Sequence, residues 1–238
     1  MKAEAGELVI GRESFFWHKL HSLTGVIPVG FYLVQHITLN SFSLAGPQAY
    51  NSVGKFFSGV PFHLFMVIQA VILGSFLFHG VYGLFITSRG QSNYFSGKYK
   101  WSQNRMYLLQ RVSGIVAFVF IVFHYIDASV RAKVQGHAAV EYAAWGRHLA
   151  EYGYFILIIY MIGVLASSYH LFYGLWNFCI RWGITVSERA QIRVQKFSLW
   201  AFILFTLLGW AALFGFFMHK VTPSSSIQIE SSGPPQPV

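Results

Sequence analysis

The sequence predicts an all-α integral membrane protein, a bundle of five transmembrane helices. Three observations predict it. Of 238 residues, 55% are hydrophobic and only 11% are charged, whereas a soluble domain carries roughly a quarter charged residues. The mean hydropathy is +0.49. Five stretches each reach the length of about 20 apolar residues that a helix needs to cross the hydrocarbon. They hold few prolines and lack the short alternating strands of a closed barrel, so they are helices that satisfy their own backbone groups.

The chain opens on "MKAEAGELVIGRESFFWHKL", which mixes acids with bases and lacks an apolar core before a small-residue cleavage site. Residues 1–19 therefore read as a cytoplasmic segment and not as a cleavable signal peptide. The expected spans are Leu20–Asn40, Phe62–Thr87, Tyr107–Ala128, Tyr152–Ile180 and Phe197–His219, within a membrane domain of residues 20–219. Residues 220–238, with "TPSSSIQIESSGPPQPV", are rich in Ser and Pro and are expected to be a disordered tail. An odd number of spans puts the termini on opposite sides. The N-terminus and the second and fourth connections hold 12 Lys and Arg, and the other side holds 5. This excess places the N-terminus in the cytoplasm and the C-terminus outside. The formal charge of +9 is then explained by cytoplasmic loops, and a nucleic-acid partner is set aside.

Chemistry is concentrated in histidine. The single cysteine, Cys179, rules out an intrachain disulfide, a Cys-x-x-Cys-His haem attachment site and a cluster built on this chain's thiolates. Ten histidines are present, and four lie within spans, one on each of the first four helices: His36, His79, His124 and His170. Intramembrane ionisable residues are costly and tend to be functional. At a rise of about 1.5 Å per residue, His36 and His124 stand roughly 24 and 25 Å from the inner end. His79 and His170 stand roughly 12 and 15 Å from it. The four thus form two level pairs, which independent structural histidines have no reason to do. Two imidazoles facing each other across a bundle can hold one haem iron from both sides. Zinc would need four ligands in one cluster. A proton relay would bring in carboxylates, and only Asp127 lies near the depth of these residues. Two b-type haems, each with two histidine ligands, are the preferred reading.

Glycines at 25, 30, 74, 80, 83, 114, 163 and 174 leave backbone without bulk on the same helices. That suits a flat macrocycle, and it equally suits close helix packing. An internal repeat is also visible. "LHSLTGVIPVGFYLVQH" (Leu20–His36) resembles "LQRVSGIVAFVFIVFH" (Leu109–His124), and His-x-x-Tyr-Gly-Leu occurs at both His79 and His170. Helices one and two read as a copy of helices three and four. Helix five has no intramembrane histidine before the boundary residue His219 and is expected to close the bundle.

These motifs, with "YHLFYGLWNFCIRWGITVS", resemble the single-chain, five-helix dihaem cytochrome b membrane anchor of succinate dehydrogenase and fumarate reductase, over residues 12–219. The resemblance implies that His79 and His170 ligate the proximal haem, on the cytoplasmic side, and that His36 and His124 ligate the distal one. It places His21, Ser22 and Arg181 near the proximal haem propionates. Arg181 also reads as a positive-inside anchor, and His21 as an interfacial histidine. The resemblance further implies a flavoprotein subunit with FAD, an iron–sulfur subunit, and membrane quinone, with menaquinone expected, as the electron partner. The chain alone would not act on succinate or fumarate, since it has neither a dinucleotide-binding glycine fingerprint nor a thiolate set. Some dihaem fumarate reductases carry an acidic residue near the outer end of helix two. Residues 37–78 contain no Asp or Glu, which leaves Asp127 as the candidate for proton exchange at an outer quinone site; it also reads as a solvated helix end. Two alternatives stay open: a cytochrome b subunit of another respiratory complex, such as hydrogenase or formate dehydrogenase, and a non-redox membrane protein with structural histidines.

Overall fold

The structure is a computed structural model and describes residues 15–89 and 102–220. Regular structure among these residues is helical, in the order α1 (Phe15–Ala45), α2 (Pro47–Ser58), α3 (Phe62–Arg89), α4 (Ser102–Gln135), α5 (Tyr142–Leu149), α6 (Glu151–Arg181) and α7 (Glu188–Met218). Five of them, α1, α3, α4, α6 and α7, are long and apolar enough to cross a membrane. The expected N-terminal segment is described only from Phe15, where α1 begins, and the expected tail only at Lys220; the remainder of both lies outside the described residues.

Pro28 shapes α1. It has no N–H to donate, and a proline inside a helix clashes with the preceding turn. The helix answers by widening into a π turn over Gly25–Gly30, where the Phe31 N–H reaches the Val26 carbonyl five residues back. The Thr24 hydroxyl donates to the Leu20 and His21 carbonyls at 2.9 and 3.1 Å, just below this turn. Such π turns inside α-helices are frequent at functional sites. This one lies where α1 passes a histidine of α3.

Helix α7 starts at Glu188, nine residues before the expected Phe197. Hydropathy marks where the chain enters lipid, not where a helix begins. The polar turns "ERAQIRVQK" are started by Ser187, whose hydroxyl accepts the Ala190 N–H at 3.3 Å. Helix α3 is apolar nearly all round and buries only Phe76, the pattern of a helix that faces lipid. The main core lies at the other end of the bundle from Arg181. It joins Tyr142, Trp145 and Leu149 of α5 to Ile156, Leu157 and Tyr160 of α6 and Leu213 and Phe216 of α7.

That end is tied by buried polar contacts. Ser43 is fully buried, and its hydroxyl donates to the Ala212 carbonyl at 2.6 Å. The Tyr142 hydroxyl donates to the Gly215 carbonyl and accepts the His219 N–H at 3.3 Å. A ring nitrogen of His219 meets the Leu44 carbonyl at 3.0 Å, so this boundary histidine fastens α7 to α1. Burial against Tyr142 and Phe216 pushes the Tyr50 phenol above its usual range and keeps it neutral. Between α5 and the regular part of α6, Tyr152, Gly153 and Tyr154 take φ of 53°, 65° and 66°. Non-glycine residues in this left-handed region cost on the order of 1 kcal/mol each. The two tyrosines carry that strain immediately after Glu151.

Candidate cofactor site: imidazoles paired at two levels

Each of α1, α3, α4 and α6 contributes one histidine to the bundle interior. His79 of α3 and His170 of α6 have ring centres 5.9 Å apart and planes at 77°. His36 of α1 and His124 of α4 have ring centres 5.6 Å apart and planes at 65°. An imidazole–metal bond is about 2 Å, so two rings on opposite sides of one metal ion have centres on the order of 6 Å apart. Among the described residues, no three or more His, Cys, Asp or Glu converge as one metal cluster.

Ring nitrogens are assigned by their partners. His79 Nδ1 lies 2.8 Å from the His21 carbonyl, and His170 Nδ1 lies 3.0 Å from the Gln110 carbonyl. A carbonyl only accepts, so each Nδ1 carries the proton and each Nε2 keeps a free lone pair. His124 Nδ1 lies 3.1 Å from the Tyr160 hydroxyl, whose own proton goes to Asp127 Oδ2 at 3.0 Å. His124 therefore donates from Nδ1 as well. Metal-binding histidines are commonly oriented this way, by a backbone carbonyl or a carboxylate-linked acceptor.

The sequence repeat has a counterpart in space. Residues 21 and 110 correspond in the two copies, and their carbonyls hold His79 and His170. Gly25 and Gly114 also correspond. A Cβ on Gly25 would collide with the His79 ring, and one on Gly114 would lie 2.7 Å from His170 Cε1. Gly83 and Gly174 face His21 and Gln110, at 3.1 and 3.2 Å from a would-be Cβ. The two glycines one turn beyond the histidines thus sit against the neighbouring helix, while Gly25 and Gly114 sit against the imidazoles. Gly25 is level with the inner pair and His36 lies eleven residues further along α1. The two levels therefore stand about 16 Å apart along the helix, a wider interval than the roughly 10 Å expected from span ends. The interval holds Phe76, Phe118 and Phe120, with Phe76 and Phe118 stacked at 5.4 Å and Phe120 5.9 Å from the His124 ring.

The residues expected at the inner rim come together. The His21 ring stacks on His79, with centres 4.1 Å apart and planes within 5°. Ser22 Oγ accepts Trp182 Nε1–H at 3.0 Å, and Lys19 Nζ donates to the Arg181 carbonyl at 2.6 Å. Lys19 and Trp182 were not singled out from the sequence. They are held against each other by a cation–π contact of 4.5 Å, across 163 residues of chain that no local pattern spans. At the outer level, Asp127 is not a solvated helix end. Its side chain is 16% exposed and is bonded to Tyr160 and His148. Tyr160 and His148 were also missed, because their approach to Asp127 depends on how α5 and α6 pack on α4.

Five helices long and apolar enough to cross a membrane, with interior imidazoles paired at two levels, define a class: helical membrane proteins with histidines inside the bundle. No protein-family model matches the chain. The succinate dehydrogenase cytochrome b558 subunit of Bacillus subtilis (strain 168) is 34% identical over 206 residues, covering 87% of this chain and 98% of that protein. The chain belongs to the family of succinate dehydrogenase cytochrome b subunits.

Proposed function

We propose that this chain is the dihaem membrane anchor of a succinate:quinone oxidoreductase, relaying electrons between an iron–sulfur subunit and membrane quinone, with menaquinone as the expected species. The observation that carries this reading is the pairing of His79 with His170 and of His36 with His124. The donor set fits a b-type haem. The imidazoles come in opposed twos, three of them keep Nε2 free, and glycines 25 and 114 leave the space that a side chain would fill. His79 and His170 would hold the inner haem, and His36 and His124 the outer one. When bound, each haem supplies a one-electron carrier whose potential depends on its axial pair, burial and nearby charge.

The remaining roles fall to the protein. His21, Ser22 and Arg181, with Lys19 beside them, offer the charged and hydroxyl groups that buried propionates need at the inner rim. Asp127 exchanges protons at an outer quinone site. The excess of Lys and Arg puts the rim of Arg181 in the cytoplasm, where the flavoprotein and iron–sulfur subunits dock; FAD and the iron–sulfur clusters belong to them. The relative's name favours this complex over a hydrogenase or formate dehydrogenase. Membranes from cells expressing the whole complex provide the test. Anaerobic succinate is expected to reduce b-type haem in them, and added quinone to reoxidise it. A b-type signal that responds to hydrogen or formate but not to succinate would overturn the assignment.

A further inference from the structure

The outer level carries a hydrogen-bonded chain that the electron relay does not use. His148 of α5 is 6% exposed, yet both of its ring nitrogens face carboxylates. Nε2 lies 2.8 Å from Asp127 Oδ2, and Nδ1 lies 2.9 Å from Glu151 Oε2. The side chains run from 16% exposed at Asp127, through 8% at His148, to 50% at Glu151. The chain therefore starts beside the buried outer imidazole pair and ends in water. Arg131 of α4 lies 5.4 Å over the Trp145 ring beside it, and Tyr160 of α6 and Tyr50 of α2 complete the polar surroundings.

Proton counting shows what the chain can do. Each of the two N···O contacts needs a hydrogen between its atoms, but a neutral imidazole carries only one N–H. The triad therefore holds two protons when both bonds are made. They are either both on His148 between two carboxylates, or one on His148 and one on a carboxylic acid. Both arrangements carry the same net charge of −1, so a proton crosses either bond without any change in the charge buried there. Tyr160 keeps its proton and fixes the near end by donating to the same Asp127 oxygen.

We propose that His148 and Glu151 form the proton path between the outer quinone site and the external water, with Asp127 as the inner terminus. This rests on the quinone reading above. For each proton that a quinone oxygen gains from Asp127, His148 gives its Nε2 proton to the Asp127 carboxylate while Glu151 gives its own proton to Nδ1. Glu151 regains a proton from water, and the imidazole turns over to bring its N–H back to Asp127 before the next transfer. Quinol oxidation runs the same transfers in reverse. The electrons come from or go to the haem relay and do not pass through these residues.

The experiment uses the intact complex in liposomes with Glu151→Gln and, separately, His148→Gln. Glu151 is half exposed, so its variant tests the path even where loss of buried His148 disturbs assembly. Haem reduction by succinate is expected to stay at the parental rate. Quinone turnover is expected to fall by about 100-fold, the low end of the range for loss of a proton-transfer group. The solvent deuterium effect on turnover should rise, external pH-dye signals should slow with turnover, and added imidazole buffer should restore part of the rate in Glu151→Gln. Unchanged turnover and an unchanged isotope effect in Glu151→Gln, with both haems present, would overturn the path. If succinate-reduced haem in the parental complex is not reoxidised by quinone, the quinone reading itself fails, and that result is seen before any variant is made.

Discussion

Replacing His170 with leucine is expected to leave one haem per chain instead of two, and to stop electron flow from succinate to quinone. His170 and His79 face each other at 5.9 Å and belong to no cluster of three or more His, Cys, Asp or Glu suited to a metal among the described residues. Losing one imidazole leaves its partner without the ring that faces it across the bundle. Removing an outer-shell partner of a metal ligand typically costs about 10- to 100-fold in affinity, and removing the ligand itself exceeds that range. His79→Leu should match His170→Leu. His36→Leu and His124→Leu should remove the other haem and spare the inner one. The levels stand about 16 Å apart and share no side chain, so the losses should be selective. Haem extraction and reduced-minus-oxidised spectra of the purified complex measure this. Equal loss of both haems in every variant would speak against two separate levels.

A second expected result needs no change to any histidine. Gly25→Leu and Gly114→Leu should each expel the inner haem while leaving the outer one in place. A side chain at either position meets an imidazole at less than van der Waals distance, His79 in one case and His170 in the other. The glycine backbones sit in continuous helices, so the rings must yield, and with them the Nδ1–H bonds to the carbonyls of His21 and Gln110. Overpacking of this kind costs about 1–3 kcal/mol, which a membrane bundle can tolerate while a ligand geometry cannot. Gly74→Leu is the control, because nothing lies within 4 Å of its would-be Cβ. If Gly114→Leu kept two haems with an unchanged spectrum, the histidine it abuts would not be an axial ligand.

The spans were legible because crossing hydrocarbon demands a long apolar run, and composition alone reveals it. The histidine pairs were legible because depth is nearly one-dimensional: counting residues along antiparallel helices ranks side chains before any packing is known. Residues 20–36 correspond to 109–124, and the carbonyls of the matched residues His21 and Gln110 hold His79 and His170 alike. What remained hidden depends on the other two dimensions. The early start of α7 follows from a cap at Ser187, where the sequence is polar. His148 and Tyr160 lie 21 and 33 residues from Asp127, and only the folding of α5 across the outer end of the bundle brings them together. Spacing could have offered one hint, the three-residue step from His148 to Glu151, but it crosses the end of α5 and so does not follow one helical face.

Four histidines on four helices are expected to hold two haems. The haem content of the purified parental complex, by extraction, with the electron paramagnetic resonance spectrum of the oxidised protein, measures this most directly. The expected result is two non-covalent b-type haems per copy of this chain, both low-spin with two imidazole ligands. One haem, none, or a high-spin iron with a single histidine ligand would contradict it.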